Sequence, residues 1–273
     1  MIPAISQACT LNSAFDDDLA GFADAAGSAV EVWLTKLENY LDDHEIAEAA
    51  AQAADRQLKF AAAAFQGGLL AAQGEARKAA WEQFERRLTL CQALSIPTLI
   101  VVPDYLGPFA HVDIERGQVS LKQAGQLAAR FGVRLALEFQ ARNTFLNNLE
   151  TTASFVESVA EPNVGICFDA FHYWAGPSKF DDLRYLHAGN LFHVQVCDVA
   201  DAPREMASDS DRILPGEGDF QLTPLLTRFR EIGYTGYVSL ELFNPTFWQV
   251  PPRQVGEVGM TSLRMLLGIA QGA

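Results

Sequence analysis

Eight short apolar segments alternate with longer helical patterns along the whole chain. The segments predict strands at Pro3–Thr10, Ala29–Trp33, Leu58–Ala64, Thr98–Val102, Val133–Phe139, Val164–Asp169, Leu191–Cys197 and Tyr237–Leu242. Helices are predicted at Asp16–Ala26, His44–Ala54, Glu75–Leu94, Ser120–Phe131, Asn148–Val159, Leu222–Ile232 and Gln254–Leu267. Strands that each precede a helix or a long crossover pair in parallel. Eight such strands favour an α/β fold, namely a closed (β/α)8 barrel or TIM barrel.

The barrel is predicted to be a single domain over residues 1–273. A chain of 273 residues has the usual size of one such barrel, and no repeat or linker interrupts it. A doubly wound open sheet is the alternative, but it more often has five or six strands and a glycine-rich first turn. The chain contains no G-x-G-x-x-G or Walker sequence. Gly132 and Gly233 follow predicted helices and suit left-handed caps before the next strand.

Four polar side chains end four successive predicted strands, namely Glu138, Asp169, Gln195 and Glu241. In a parallel barrel the carboxyl ends of the strands meet at one mouth, where barrel enzymes place their chemistry. Three carboxylates at one mouth repel each other, and a divalent cation removes that cost. We therefore predict that these four residues bind a metal. For any one of them alone, a polar strand end that meets water is the simpler interpretation.

Strand periodicity agrees with the metal hypothesis. Side chains alternate between the two faces of a strand, so Glu138 shares a face with Ala136, and Glu241 with Ser239. Larger apolar side chains occupy the opposite faces, and the same register holds for the other two strands. All four polar residues are therefore expected to point into the barrel. Carboxylate and amide groups make an all-oxygen set, which favours Mn²⁺ or Mg²⁺ over Zn²⁺.

Four further residues are candidates for substrate binding or acid catalysis. His172 lies three positions after Asp169 in a D-x-x-H element, and could position substrate, orient a metal ligand or act as an acid. A loop histidine bonded to the backbone is the alternative. Arg212 lies in a Gly/Pro-rich loop, and could hold a substrate oxygen through two hydrogen bonds or form a surface ion pair. Arg142 and Lys36 follow predicted strands and are weaker candidates for substrate binding.

Charge and composition limit the partners of the chain. The net charge is −14 and no run of Lys and Arg forms a basic stripe, which argues against nucleic acid held through its phosphates. No signal peptide is apparent, and no apolar stretch reaches the length of a membrane span. The four cysteines lack C-x-x-C spacing, and Cys167 and Cys197 fall within predicted buried strands, where a free thiol behaves as a small hydrophobe. A reduced compartment and a cytoplasmic location are therefore expected. Trp248 could pack on another subunit of a homo-oligomer or against the barrel itself.

Several motifs resemble the xylose isomerase-like barrels, a family of sugar phosphate isomerases and epimerases. The resemblance covers nearly the whole chain and is densest from Leu135 to Trp248. It is carried by Leu137-Glu138, Thr144-Phe145-Leu146-Asn147, Asn163-Val164-Gly165, Asp169-Ala170-Phe171-His172, His193 to Asp198, Arg212 to Gly218, Ile232 to Gly236 and Ser239-Leu240-Glu241-Leu242-Phe243. The resemblance implies metal binding by Glu138, Asp169 and Glu241, and proton transfer by the two glutamates.

Within that family, the segments from Val32 to Leu41 and from Arg212 to Pro245 are most similar to inosose (2-keto-myo-inositol) isomerases. The family often has histidine where this chain has Gln195. Glutamine at that position resembles hydroxypyruvate isomerases and bacterial metal-dependent 3-dehydroshikimate dehydratases. The exchange keeps a metal ligand but weakens the inosose assignment. Nuclease relatives of the barrel use many more histidines than the five present here.

Three functions are compatible with these residues. The leading hypothesis is a metal-dependent isomerase or epimerase of a small keto-sugar or cyclic keto-polyol, in which Glu138 or Glu241 moves the proton next to the carbonyl through an enediolate. If a β-hydroxyl leaves from the same enediolate, the enzyme is a dehydratase, and His172 is a candidate to protonate the leaving group. The third hypothesis is a non-catalytic barrel that binds a sugar or a partner protein.

Overall fold

A computed structural model of the chain describes residues 1–269, and within it eight strands follow each other in chain order in a closed barrel. The strands are β1 (Ile2–Ser6), β2 (Ala29–Trp33), β3 (Lys59–Gln66), β4 (Thr98–Val101), β5 (Arg134–Glu138), β6 (Val164–Asp169), β7 (Leu191–Val196) and β8 (Tyr237–Leu240). The α-helices in the same range are α1 (Phe15–Asp24), α2 (Leu34–Tyr40), α3 (Ile46–Asp55), α4 (Gly74–Ala93), α5 (His111–Arg130), α6 (Leu149–Val159), α7 (Ala170–Ala175), α8 (Leu222–Glu231) and α9 (Pro252–Leu267). The predicted eight-stranded parallel barrel is confirmed.

The contacts within the chain define two compact units. Unit 1 comprises Met1–Ala63 and Val194–Ala273, and unit 2 comprises Ala64–His193. The single-domain organisation of residues 1–273 stays a prediction. Among the described residues, no helix combines the length and the apolar character needed to cross a bilayer.

Unit 1 is built on parallel strands at both ends of its sequence. β1 pairs with β2, where Ser6 lies opposite Glu31, and also with β8. The unit 1 part of β7 pairs with β8, and Gln195 lies opposite Ser239. Helices α1 and α9 pack together, and Gly21 makes their close approach feasible, because a Cβ there would lie 2.6 Å from the α9 backbone. This packing holds the first and last parts of unit 1 together.

Unit 2 contains the parallel strands β4, β5 and β6, and Glu138 lies opposite Cys167 in their register. Every residue of β6 is buried, as expected for a parallel strand that is covered on both faces. Gly165 allows this packing, because a Cβ there would meet the Phe192 ring at 2.6 Å. The carboxyl ends of β5 and β6 therefore carry Glu138 and Asp169 side by side.

Several predicted element bounds differ from the structure. The first strand was expected to reach Thr10, but it ends at Ser6, whose hydroxyl accepts from the Ala8 N–H and starts a 3-10 helix. Helix α5 begins at His111, nine residues before its predicted start. The short helices α2 and α7 were not predicted, because each follows directly on a strand without turn residues. The left-handed caps at Gly132 and Gly233 are confirmed, with φ of +71° and +75°.

Candidate metal centre

Asp169 ends β6 and also caps the next helix. Its Oδ1 accepts hydrogen bonds from the backbone N–H of Phe171 at 2.5 Å and of His172 at 3.1 Å, which begins α7 without an intervening loop. A carboxylate is the preferred group at this position, because it satisfies N–H groups that a helix start leaves free. The cap fixes the Asp169 carboxylate and places His172 in the first turn of α7.

Glu138 ends β5 and receives neutral hydrogen-bond donors. Its Oε1 accepts from the Gln140 amide at 2.6 Å, and His172 Nε2 lies 3.3 Å from the same oxygen. The Ala141 N–H points at His172 Nδ1 at 3.5 Å. A backbone N–H only donates, so this contact favours the tautomer that carries its proton on Nε2 and donates it to Glu138. Both ring nitrogens therefore fix His172: Nε2 contacts Glu138, and Nδ1 accepts from the Ala141 N–H.

These three side chains form a compact buried cluster in unit 2. Glu138, Asp169 and His172 each offer a ligand atom, and the three atoms lie within 4.8 Å of one another. Their exposed fractions are 5%, 0% and 5%. Two buried carboxylates and an imidazole are a suitable donor set for Mn²⁺, Mg²⁺ or Zn²⁺. The residues present therefore fit a divalent cation.

Unit 1 holds a second buried cluster, built on β2, β7 and the residue that follows β8. Gln195 Nε2 lies 2.7 Å from Glu241 Oε1 and 3.1 Å from Glu31 Oε1. Glu241 Oε2 pairs with Arg212 Nη1 at 3.1 Å. All four side chains are buried. Gln195 and Glu241 were predicted to work together, and unit 1 brings them into direct contact.

Arg212 is more deeply buried than a surface ion pair would require, with 1% of its surface exposed. Its Nε and Nη2 also donate to Asp209 Oδ1, at 3.0 and 2.7 Å. The Phe243 ring lies 5.6 Å from its guanidinium carbon, a distance at which a cation is attracted to an aromatic face. Its predicted contact with a substrate oxygen stays a prediction.

Lys36 lies in a polar network inside unit 1. Its ammonium contacts Asp18 Oδ2 at 2.5 Å, Ser13 Oγ at 3.2 Å and the carbonyl of Thr10. Burial lowers the pKa of Lys36 and raises the pKa of Asp18, and in each case the charge of the partner opposes the shift. An ammonium has three protons, and these contacts engage all three. Binding substrate would require Lys36 to break one of them, so its predicted role depends on a rearrangement.

Arg142 is the remaining sequence candidate for substrate binding, and it belongs to unit 2. Arg142 is exposed and follows β5 by four residues. The neighbouring Asn143 is buried and donates to the Pro103 carbonyl at 2.8 Å, which fixes the loop after β5. His193 is buried on β7. The role of Arg142 in substrate binding stays a prediction.

Two polar contacts of the site were missed in the sequence. Glu31 lies in the middle of the apolar strand Ala29–Trp33, where a buried charge is unexpected and is itself a signal. Gln140 follows Glu138 by two residues and gave no pattern of its own. Unit 1 joins Glu31, Gln195 and Glu241, whereas unit 2 joins Glu138 to Asp169 and His172. The complete four-residue metal set predicted from the strand ends stays a prediction.

A buried thiol adjoins the unit 1 cluster. Cys9 Sγ donates to the Leu240 carbonyl at 3.3 Å. Burial raises the pKa of the Cys9 thiol well above its usual value of 9.0, and the negative charges of Glu241 and Glu31 add to the shift. Cys9 is therefore a neutral neighbour of the two carboxylates.

Comparison with known proteins relates this geometry to a family. A model described as the xylose isomerase-like TIM barrel matches residues 20–265. An inosose isomerase from Halalkalibacterium halodurans is 32% identical over 171 residues, which cover 62% of this chain and 61% of the relative. The chain thus aligns with about three fifths of that protein. A 3-dehydroshikimate dehydratase from Pseudomonas putida is 27% identical over 68% of this chain and 29% of the relative.

A solved structure supports the fold. The crystal structure of the IOLI protein with a bound zinc atom superposes with a TM-score of 0.91 at 24% identity, and covers 98% of both chains. At this identity the likeness establishes the fold alone. The xylose isomerase-like fold predicted from the sequence is confirmed.

Proposed function

Because the chain belongs to the xylose isomerase-like TIM-barrel family, we propose that it is a divalent-metal-dependent isomerase or epimerase of a small keto-sugar or cyclic keto-polyol. The observation that carries this proposal is the buried cluster of Glu138, Asp169 and His172. The substrate class is supported by the similarity to an inosose isomerase. Inositol-derived ketones carry hydroxyl groups on both sides of the carbonyl, which suits proton transfer between neighbouring carbons.

The proposed metal ligands are Glu138, Asp169, Gln195 and Glu241. Glu138 and Asp169 end their strands, Gln195 is the penultimate residue of β7, and Glu241 directly follows β8. The first two also contribute to the buried cluster of unit 2. An all-oxygen set favours Mn²⁺ or Mg²⁺. The nitrogen of His172 and the zinc atom in the IOLI protein keep Zn²⁺ as the competing ion. A bound divalent cation would supply Lewis-acid polarisation of the substrate carbonyl and stabilise negative charge on its oxygen.

Proton transfer is assigned to the two glutamates. Glu138 or Glu241 removes the proton from the carbon next to the carbonyl, and the protonated glutamate then returns it. For isomerisation, the proton is returned to the former carbonyl carbon while the hydroxyl proton of the enediolate moves from one oxygen to the other. For epimerisation, the second glutamate in its protonated form delivers a proton to the opposite face of the same carbon. Arg212 pairs with Glu241, whereas Glu138 contacts the Gln140 amide and the His172 imidazole.

The polar side chains near the two glutamates would orient the substrate. His172 is proposed to bind a substrate oxygen and to act as an acid towards it, since its Nε2 already lies within reach of Glu138. Arg212 is proposed to hold a second oxygen through its guanidinium, whose planar arrangement of donors suits two parallel hydrogen bonds. Arg142 and Lys36 are proposed as weaker substrate contacts.

A dehydratase is the second candidate function. The similarity to a 3-dehydroshikimate dehydratase favours it. In that reaction the glutamate removes the same proton, but a hydroxyl on the β-carbon leaves as water after protonation by His172. The same residues would therefore serve both reactions, and the position of the leaving group on the substrate decides between them.

Elemental analysis followed by deuterium exchange tests the proposal. We expect about one divalent ion per chain. In D₂O, a panel of keto-sugars, inososes and 3-dehydroshikimate should yield deuterium in the recovered compound or in the product. A loss of water identifies the dehydratase. A protein without stoichiometric metal and without exchange over the whole panel would support a non-catalytic binding barrel instead.

A further inference from the structure

Gln195 makes an unusual pair of contacts in unit 1. A single nitrogen, Nε2, faces two carboxylate oxygens, Glu241 Oε1 at 2.7 Å and Glu31 Oε1 at 3.1 Å. Glu31 and Gln195 are fully buried, and Glu241 is 3% exposed. The backbone fixes all three, because Gln195 lies on β7, Glu31 on β2, and Glu241 directly follows β8. The contact is therefore part of the barrel rather than of a loop.

Hydrogen-bond chemistry settles the orientation of this amide. An ionised carboxylate only accepts, and a primary amide donates only from its nitrogen, which carries two protons. The group that faces both carboxylates must therefore be the nitrogen. The reversed amide would place its oxygen against two negative oxygens and leave them without these donors. Since both protons of Nε2 are engaged, Oε1 is the atom of Gln195 that can bind a cation.

We infer that Glu31 is a positioning residue: together with Glu241 it fixes the Gln195 amide so that oxygen, and not nitrogen, is presented as the metal ligand. The inference rests on the proposed function, because it assigns Gln195 to the cation. Glu31 occupies the centre of an apolar strand, where a valine or leucine would pack without loss of hydration. Burying a carboxylate there is costly unless it is hydrogen-bonded, so the structure retains Glu31 for a contact that an apolar side chain cannot make.

The test replaces Glu31 and measures metal binding directly. Glu31→Leu removes the acceptor and frees the amide to turn. We expect its affinity for Mn²⁺, titrated calorimetrically into metal-free protein, to fall about 10- to 100-fold, the range typical for residues that orient a ligand. Glu31→Gln is the matched control, since its side-chain oxygen still accepts from Gln195. Its affinity should stay within about threefold of wild type on the same basis. Equal affinities of wild type and Glu31→Leu would overturn the inference.

A second background separates positioning from general damage. In Gln195→Leu the amide is absent, so adding Glu31→Leu should weaken Mn²⁺ binding no further. A further loss in the double variant would mean that Glu31 acts by another route and would overturn its role as a positioning residue. Circular dichroism of each metal-free variant checks the fold. If Glu31→Leu does not fold, the comparison of Glu31→Gln with Glu31→Ala replaces it, with the loss expected only in the alanine variant.

Nuclear magnetic resonance of the metal-free protein tests the amide itself. In wild type, both side-chain amide protons of Gln195, assigned by their loss in Gln195→Leu, should be shifted downfield and exchange slowly. One of them should move upfield when Glu31 is replaced by leucine or alanine. Unshifted, rapidly exchanging amide protons in wild type would overturn the orientation. This readout does not depend on metal, so a wild-type protein that binds no Mn²⁺ would refute the proposed function while the amide orientation is still tested.

Discussion

The two units hold their buried carboxylates with different groups. In unit 1, Glu241 contacts a buried guanidinium, that of Arg212, as well as the Gln195 amide. In unit 2, Glu138 accepts from the Gln140 amide, and Asp169 accepts from two backbone N–H groups. A neutral donor stabilises a carboxylate but leaves its negative charge in place. A guanidinium stabilises the carboxylate and also cancels its charge. Arg212 therefore balances part of the charge of the unit 1 cluster, and we expect the unit 2 carboxylates to depend more strongly on the proposed divalent cation.

Exchanging one carboxylate for an amide in each unit tests this difference between the two clusters most directly. Glu138→Gln removes a negative charge from the unit 2 cluster. It should lower turnover by about 10³-fold, within the range for loss of an acid–base group. The variant should also lose its metal during dialysis. Glu241→Gln should lower turnover comparably but retain more metal. The measurements are kcat on the substrate identified by deuterium exchange, and metal content after dialysis.

An exposed carboxylate provides the control for these two variants. Glu157 lies on the exposed side of α6 in unit 2, and Glu157→Gln should change neither metal content nor kcat. Equal metal loss in Glu138→Gln and Glu241→Gln would show that the two clusters do not differ in their need for a cation. Near-normal turnover in both variants would remove the glutamates from proton transfer.

Stability measurements sharpen the role of the arginine in unit 1. Arg212→Met leaves the Glu241 carboxylate buried without its cation, which should lower the free energy of unfolding by about 3–5 kcal/mol. The double variant Arg212→Met/Glu241→Gln removes both charges and should recover part of that loss. Urea unfolding of the two single variants, the double variant and wild type gives the coupling energy.

The exposed ion pair between Arg253 and Glu257, 3.0 Å apart on α9, is the matched control. It joins the same residue types four positions apart, but both side chains are in water, where such pairs contribute little. Arg253→Met should leave the unfolding midpoint within experimental error. A double variant at Arg212 and Glu241 that is no more stable than Arg212→Met alone would show that the buried pair is not the source of the loss.

The sequence predicts the strand ends better than the contacts between them. Four apolar runs that each end in a polar residue are visible because strand pairing and burial act on neighbouring positions of the chain. The contacts of Gln195 with Glu31 depend on residues 164 positions apart, and no local pattern encodes such a pair. Glu31 could have been found only from the mismatch of a charge within an apolar strand.

Charge pairing was equally difficult to predict for Arg212. From its Gly/Pro-rich loop, Arg212 was predicted to hold a substrate oxygen, with a surface ion pair as the alternative, and neither interpretation included its buried pair with Glu241. The structure buries it, since the Asp198 carboxylate accepts from the Gly216 and Phe220 N–H groups and draws the loop inwards. Helix α7 was missed for a related reason: Asp169 serves both as the end of a strand and as a helix cap, two roles that pattern analysis assigns to separate residues.

The stability of the protein at alkaline pH tests two groups that unit 2 buries in neutral form. Of the predicted effects, we expect this one to be the smallest. Burial raises the pKa of the Cys91 thiol from 9.0 to about 12. Burial, together with the nearby charges of Asp104 and Asp113, raises the pKa of the Tyr105 phenol from 10.0 to about 12. Because the folded protein holds these protons more tightly than the unfolded chain, their contribution to stability is complete below about pH 9 and is lost as the pH rises towards 12.

Ionisation of Tyr105 also removes the proton that it donates to the Asp113 carbonyl at 3.0 Å. The loss of stability at high pH therefore includes a lost hydrogen bond as well as the cost of burying a charge. The double variant Cys91→Ala/Tyr105→Phe should be less stable than wild type at pH 7, because it lacks that hydrogen bond, which contributes about 1 kcal/mol. Its stability should nevertheless fall less steeply between pH 9 and 12. Urea unfolding at each pH gives the difference between the two slopes, which isolates these two groups from the other titrating residues. Parallel plots of stability against pH for the double variant and wild type would mean that burial in unit 2 does not disfavour negative charge at Cys91 and Tyr105. Any dependence of unit 2 on a cation would then concern Glu138 and Asp169 alone.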